Sequence, residues 1–171
     1  MDRVKQIYEF YKLYDENFSN KKYIYYSKNN TLEIEFTNKN FAHLTGFEYY
    51  DGNRKLSATH VYNLLKNRRL NSRSIHEKKD GSSQQKMQVY SQMEALKSKT
   101  NLVITNNEVI HLNLDGIIAT NKKILAIGVR DKRPITLLNQ KPNFNLGKFE
   151  KVTKIEVYDN MSKELIESIK L

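Results

Sequence analysis

The chain predicts an α+β fold in which N-terminal helices pack on an antiparallel sheet of four or more strands. Three observations carry this. Apolar residues in the first eighteen positions recur at helical spacing. Leu32, Ile34 and Phe36 alternate with Glu33 and Glu35, the period of a sheet with one buried face and one wet face. From Asn101 onward, short β-type runs follow one another across tight-turn signals, which implies a meander of antiparallel strands, not a parallel α/β sheet.

In chain order, residues 3–18 read as a helix whose stripe is Val4, Ile7, Tyr8, Tyr11, Tyr14 and Phe18, with Phe10 and Leu13 widening it. Residues 23–28 are β-rich. Asn29-Asn30 turns the chain into the strand 31–37, completing a hairpin. Asn38-Lys39-Asn40 then breaks the strand, and Phe41, His43, Leu44, Thr45 and Gly46 are expected in a compact turn at the sheet's end. Asp51-Gly52 marks a loop, and Ser57 or Thr59 caps a helix carrying Val61, Leu64 and Leu65. The polar run 74–83 reads as a mobile loop. Ser82 or Ser83 starts the next helix, with Met87, Tyr90, Met93 and Leu96 at i, i+3 spacing and Lys86 at the edge of that stripe.

The β-type runs of the second half are 102–104, 109–112, 116–119, 124–129 and 135–138. Residues 139–149, with Pro142 and Gly147, read as a loop, and 151–159 as a last strand. Residues 162–171 fit either its hairpin partner or a short helix, because Leu165, Ile166 and Ile169 follow neither period. No repeat or low-complexity tract is visible. The length fits a single domain, 1–171.

There is no cysteine, which excludes disulfides and thiolate metal sites. The amphipathic, charged N-terminus lacks the apolar core of a secretion signal, and no window reaches the ~18–20 apolar residues of a membrane span. A cytoplasmic protein without membrane contact is expected. The net charge of +10 points to polyanionic or acidic partners. A coding bias toward lysine and asparagine would raise the charge without any partner, but the excess is uneven. Eleven basic residues between Arg54 and Lys99, among them Arg68, Arg69 and Arg73, face only Glu77, Asp80 and Glu94.

His43 is the candidate centre of a site. Its ordinary pKa of about 6.5 suits proton transfer near neutrality, although the same pattern fits a core histidine bonded to backbone. Metal and cofactor chemistry finds no support: His43, His60, His76 and His111 are dispersed, no metal-binding or phosphate-cradling motif is present, and Glu33 and Glu35 look like a solvent face. A basic, tyrosine-rich, cysteine-free domain suits metal-independent RNA cleavage. There the ribose 2′-OH is the nucleophile and the protein need supply only a base, an acid and cations. It equally suits a non-catalytic RNA- or DNA-binding module that grips phosphates through Arg68, Arg69 and Arg73. Composition does not separate the two.

The run Asn40-Phe41-Ala42-His43-Leu44-Thr45-Gly46 resembles the F-x-HLTG signature of phage- and mobile-element-encoded nucleases of the barnase–EndoU–colicin–RelE superfold. Pro134-Ile135-Thr136-Leu137-Leu138 resembles that group's P-x-S-L-L, with threonine for serine, and the likeness covers roughly residues 5–140. It implies a barnase/RelE-like fold whose open sheet face takes RNA, and an endoribonuclease of toxin or effector type from a prophage or mobile element. It also implies roles. His43 would be general base or acid, and Thr45 would orient it or contact phosphate. Lys86 would steady phosphate charge, Thr136 would line the cleft, and Arg130 or Arg133 would supply a second cation. Each has a plainer reading beside it: a solvated helix lysine for Lys86, a β-former for Thr136, a charged loop for the arginines. An acidic antitoxin or immunity protein is the expected protein partner. The alternative function is a non-catalytic phage regulator or inhibitor with the same fold.

Overall fold

The fold is a computed structural model that describes residues 2–97, 101–106, 112–120, 125–139 and 148–171. The expected run 109–112 lies largely outside these residues, as do His111 and most of the loop 139–149.

Helix α1 (Arg3–Asn17) is capped by Asp2, whose carboxylate accepts the Val4 N–H at 3.0 Å. Its buried face is Ile7, Phe10 and Tyr14, continued by Phe18. Phe10, expected only to widen the stripe, is therefore at its centre, while Tyr8 and Tyr11 lie at its edge. Strands β1 (Lys21–Tyr26) and β2 (Thr31–Phe36) form the expected hairpin, and Leu32, Ile34 and Phe36 are all buried. Lys22 and Lys132 both pair with Glu33, which confirms the wet face.

The chain does not then turn compactly. Residues Asn38–Thr45 form a helix, α2. Thr37 starts it: its N–H donates to Asn40 Oδ1 at 2.8 Å. Gly46 ends it in the left-handed conformation at φ +75°, with its N–H on the His43 carbonyl at 3.1 Å. With a cap at each end and Phe41, Leu44 and Thr45 buried, eight residues suffice. Helix α3 (Ala58–Lys66) starts at Ser57 as expected, and α4 (Ser82–Val89) runs on as a 3-10 helix over Tyr90–Lys97.

Strands β3 (Glu48–Asp51), β4 (Arg54–Lys55) and β5 (Ile75–His76) make a small sheet in the order β4-β3-β5, so the segment expected as a mobile loop is pinned at its start. Strands β6 (Leu102–Thr105), β7 (Gly116–Thr120), β8 (Leu125–Arg130), β9 (Arg133–Asn139) and β10 (Glu150–Lys151) form an antiparallel sheet ordered β10-β6-β7-β8-β9. It is buried on both faces, which explains the unbroken apolar run of β8. Strand β11 (Lys154–Asp159) joins β1, and 165–170 proves to be its hairpin partner, β12 (Leu165–Lys170). The four-stranded sheet is thus β12-β11-β1-β2. It is tied to the five-stranded one where the Glu35 N–H donates to the Lys132 carbonyl (2.7 Å) and the Asn106 side-chain amide donates to the Thr31 carbonyl (3.0 Å). Among the described residues no helix is long and apolar enough to cross a membrane.

The core closes around Phe41. Its ring meets those of Phe10 (5.0 Å), Tyr14 (5.3 Å), Tyr11 (6.0 Å) and Tyr62 (6.0 Å), so α2 is held against α1 and α3 by aromatic contact. Phe41→Ala is expected to destabilise the fold by about 3–5 kcal/mol, read from urea unfolding at unchanged slope.

Candidate functional site

Residue 43 falls in the last turn of α2, and its side chain is exposed, not enclosed. Among the described residues neither ring nitrogen of His43 has a hydrogen-bond partner, so it is not a histidine spent on backbone. It lines a depression of about 160 Å³ together with Glu48, Lys55 and Lys78. The end of a helix favours the imidazolium by a few tenths to about 1 kcal/mol. Here the opposing effects prevail: desolvation by the walls of the depression, then the charges of Lys78, Lys86 and Lys55, hold His43 below its ordinary pKa of 6.5. Both effects favour the neutral ring over the imidazolium.

Lys86 comes from the last turn of α4, a helix begun by the Asp80-Gly81-Ser82-Ser83 turn. It is buried, and its Nζ donates to the His43 carbonyl at 3.2 Å. The alkyl stem crosses directly over Gly46, where a Cβ would lie 2.7 Å from Lys86 Cδ. Burial first, then the like charge of Lys78, brings the ammonium down to about 8, against the opposing pull of Asp80. A lysine that close to neutrality can both hold an anion and give up a proton.

The two halves are joined by Ser83, which is fully buried. Its Oγ donates to the Gly46 carbonyl at 2.7 Å and accepts the Lys78 N–H at 3.1 Å. Lys78 thereby stands between His43 and Lys86, and among the described residues no carboxylate lies within ion-pairing distance of it. It escaped the sequence reading because residues 74–83 looked like solvated loop. The signal was the helix start at Asp80-Gly81-Ser82-Ser83, which delivers the residues just before it to the helix that bears Lys86.

Thr136, on β9, is half-buried and lines a second depression, of about 340 Å³, with Lys86, Lys78, Asp80 and Ser82. Its hydroxyl donates to the Leu137 carbonyl at 3.2 Å. Of the two alternatives for Thr45, the structure removes one. It is wholly enclosed, its Oγ1 donating to the Ala42 carbonyl (2.7 Å) and bonded to the Tyr49 hydroxyl (2.8 Å), so phosphate contact is closed to it. Its bonds lie within the turn that carries His43. Arg133 lines a different depression, with Glu35, Thr37 and Lys39, and Arg130 faces it across the β8–β9 turn. Arg68, Arg69 and Arg73 are exposed between α3 and β5 and line neither the His43 nor the Lys86 depression. Among the described residues no group of three or more histidines and carboxylates is placed to hold a metal ion.

A family model described as phage-Barnase-EndoU-ColicinE5/D-RelE like nuclease4 matches residues 6–170, extending the likeness over the β10–β12 segment that the sequence motifs did not reach. No curated protein and no solved structure gave a significant match.

Two outcomes follow from the electrostatics. Lys78→Gln should raise the pKa of both His43 and Lys86, since Lys78 depresses each; side-chain NMR titration reads both. A depressed lysine makes the unfolded chain bind more protons than the folded one between about pH 8 and the ordinary 10.5, so this contribution to stability grows with pH across that window. Unfolding of wild type against Lys86→Met should show that rise from about pH 8 to about pH 9.5 in wild type only, below the range where tyrosine ionisation intrudes.

Proposed function

The chain belongs to this phage barnase–EndoU–colicin–RelE-like nuclease family, and on that premise we propose that it is a metal-independent endoribonuclease acting by 2′-OH transesterification. The observation that carries the reading is an imidazole with no partner among the described residues, in a depression whose Lys78 also lines the neighbouring depression of Lys86; neither lysine has a carboxylate partner among the described residues.

In the proposed reaction, neutral His43 takes the proton of the ribose 2′-hydroxyl as its oxygen attacks phosphorus. Lys78 and Lys86 hold the charge that gathers on the non-bridging oxygens. The bond to the 5′-oxygen breaks, and the leaving oxygen takes a proton from the Lys86 ammonium. The products are a 2′,3′-cyclic phosphate and a 5′-hydroxyl. A base held below 6.5 and an acid near 8 are both in their working protonation states at neutral pH. Thr136 lines the cleft beside the Lys86 end. Thr45 is a positioning residue, acting through the turn. Arg68, Arg69 and Arg73 supply phosphate contacts along the flanking strand, and an effector or toxin role in a phage or mobile element, with an acidic inhibitor over the cationic groove, suits this chemistry.

Labelled RNA incubated in EDTA with wild type and His43→Ala tests the proposal. The variant should be slower by about 10²–10⁴-fold, with a cyclic phosphate as the wild-type product. The wild-type rate should rise with pH as His43 deprotonates and fall near pH 8, and Lys86→Met should remove the alkaline fall along with most of the rate. Equal cleavage by wild type and His43→Ala, or none by either on varied RNAs, would leave the binding reading. That reading expects steeply salt-dependent RNA binding, lost in an Arg68, Arg69 and Arg73 triple glutamine variant and indifferent to His43.

A further inference from the structure

Three depressions meet at one side chain. Lys78 lines the one that holds His43, the one that holds Lys86 and Thr136, and a third, wider one of about 680 Å³ bounded by Tyr50, Asn53 and His76. Glu48 is shared by the His43 depression and the wide one, and Asp80 by the Lys86 depression and the wide one. They adjoin through these shared residues as three arms around Lys78, and the chemistry above uses only two of them.

Charge sorts the arms. Lys78 and Lys86 dominate the arm beside Thr136, where Asp80 is the single carboxylate of the lining. The wide arm sets Glu48, Glu77 and Asp80 against Lys78 and Lys79. Those carboxylates are fixed in place: Glu48 on Lys55 at 2.7 Å, Glu77 on Arg3, and Asp80 on the Ser82 N–H at 2.9 Å. Held there, they disfavour a phosphate and accept N–H donors. The arm also offers ring surface. Glu48 is paired with His76 across β3 and β5, so Tyr50, two residues along the same face, is the diagonal neighbour of His76. Their rings meet at 5.1 Å and 77°, with Tyr50 half-buried and His76 exposed.

We propose that the wide arm is a nucleobase subsite: with a phosphate at Lys78 and Lys86, the unstacked base of a neighbouring nucleotide lies against Tyr50 and His76. The inference rests on the reading of this groove as an RNA site and narrows its substrate class to unpaired RNA. A base held in a duplex stack cannot enter the arm.

The test is fluorescence-anisotropy binding of a short, non-cleavable 2′-O-methyl trinucleotide, too short to slide, against versions abasic at one position each. For wild type, one abasic position should weaken binding by about 5- to 150-fold, the range for stacking of one base. Tyr50→Ala and His76→Ala should weaken the intact probe toward that level and no longer distinguish it from the abasic one, while Tyr50→Phe binds as wild type. The same sequence paired in a duplex should bind no better than the abasic probe. The subsite is overturned if Tyr50→Ala and His76→Ala still distinguish intact from abasic probes as wild type does, or if wild type does not distinguish them. Cleavage, scored separately, separates the two ideas. Base-sensitive binding without cleavage removes the transesterification and keeps the subsite. Cleavage without base sensitivity does the reverse.

Discussion

A buried hydroxyl ties the two halves of the candidate site together. Ser83 bonds the carbonyl at the end of α2 and the backbone of Lys78 ahead of α4, so the helix that carries the imidazole and the one that carries the ammonium meet in fixed register. The joint is close because residue 46 has no side chain. A Cβ there would stand 2.7 Å from the Lys86 stem and 3.2 Å from the Ser83 backbone, and a φ of +75° would strain any other residue as well. Without that gap Lys86 could not lie across the turn, and its Nζ would not reach the His43 carbonyl. Everything else in the groove is placed relative to this crossing.

The crossing has an electrostatic cost. Lys55, Lys78 and Lys86 all act on one imidazole, and Lys86 is buried with a carbonyl as its hydrogen-bond acceptor. Ion pairs between exposed groups are worth too little to offset this. The aromatic interior around Phe10, Tyr14 and Phe41 does, since each ring buried there stabilises by far more than a surface pair. Desolvation is the larger cause of the lowered pKa at both His43 and Lys86, and the crowding of cations adds to it. This concentration of like charge is held at a cost in stability.

The hairpin of β1 and β2, the helix-bearing first half and the antiparallel second half were legible because each rests on a local pattern: a helical stripe, strict alternation, or apolar runs between turn residues. The α2 helix was missed although its signals were present, Thr37 and Asn40 at one end and Gly46 at the other. An eight-residue helix is too short for periodicity to announce it. The C-terminal strand was undecided for a different reason. Leu165 and Ile166 are both exposed, so their order encodes no buried face. Within the site, His43 and Lys86 were legible as residues, but the burial of Thr45 was not, because a threonine beside a histidine looks the same whether its hydroxyl bonds solvent or the carbonyl three residues back. Lys78 needed the tertiary structure outright, since its importance is its position between two elements and not its neighbours in the chain.

The four residues His43 to Gly46 can now be read as one device. At the end of a helix, successive side chains point in different directions, so one turn can serve several purposes. His43 points its ring into the groove while its carbonyl, left free by the helix end, accepts both the Gly46 N–H and the Lys86 ammonium. Leu44 is buried and anchors the turn to the core. Thr45 closes the turn from within through the Ala42 carbonyl and Tyr49. Gly46 leaves the space through which Lys86 arrives. Each position therefore carries a separate physical requirement, and only their combination sets the imidazole beside Lys78 and the Lys86 ammonium on the His43 carbonyl. The run of residues specifies half of that arrangement, and the packing of α4 against it supplies the other half.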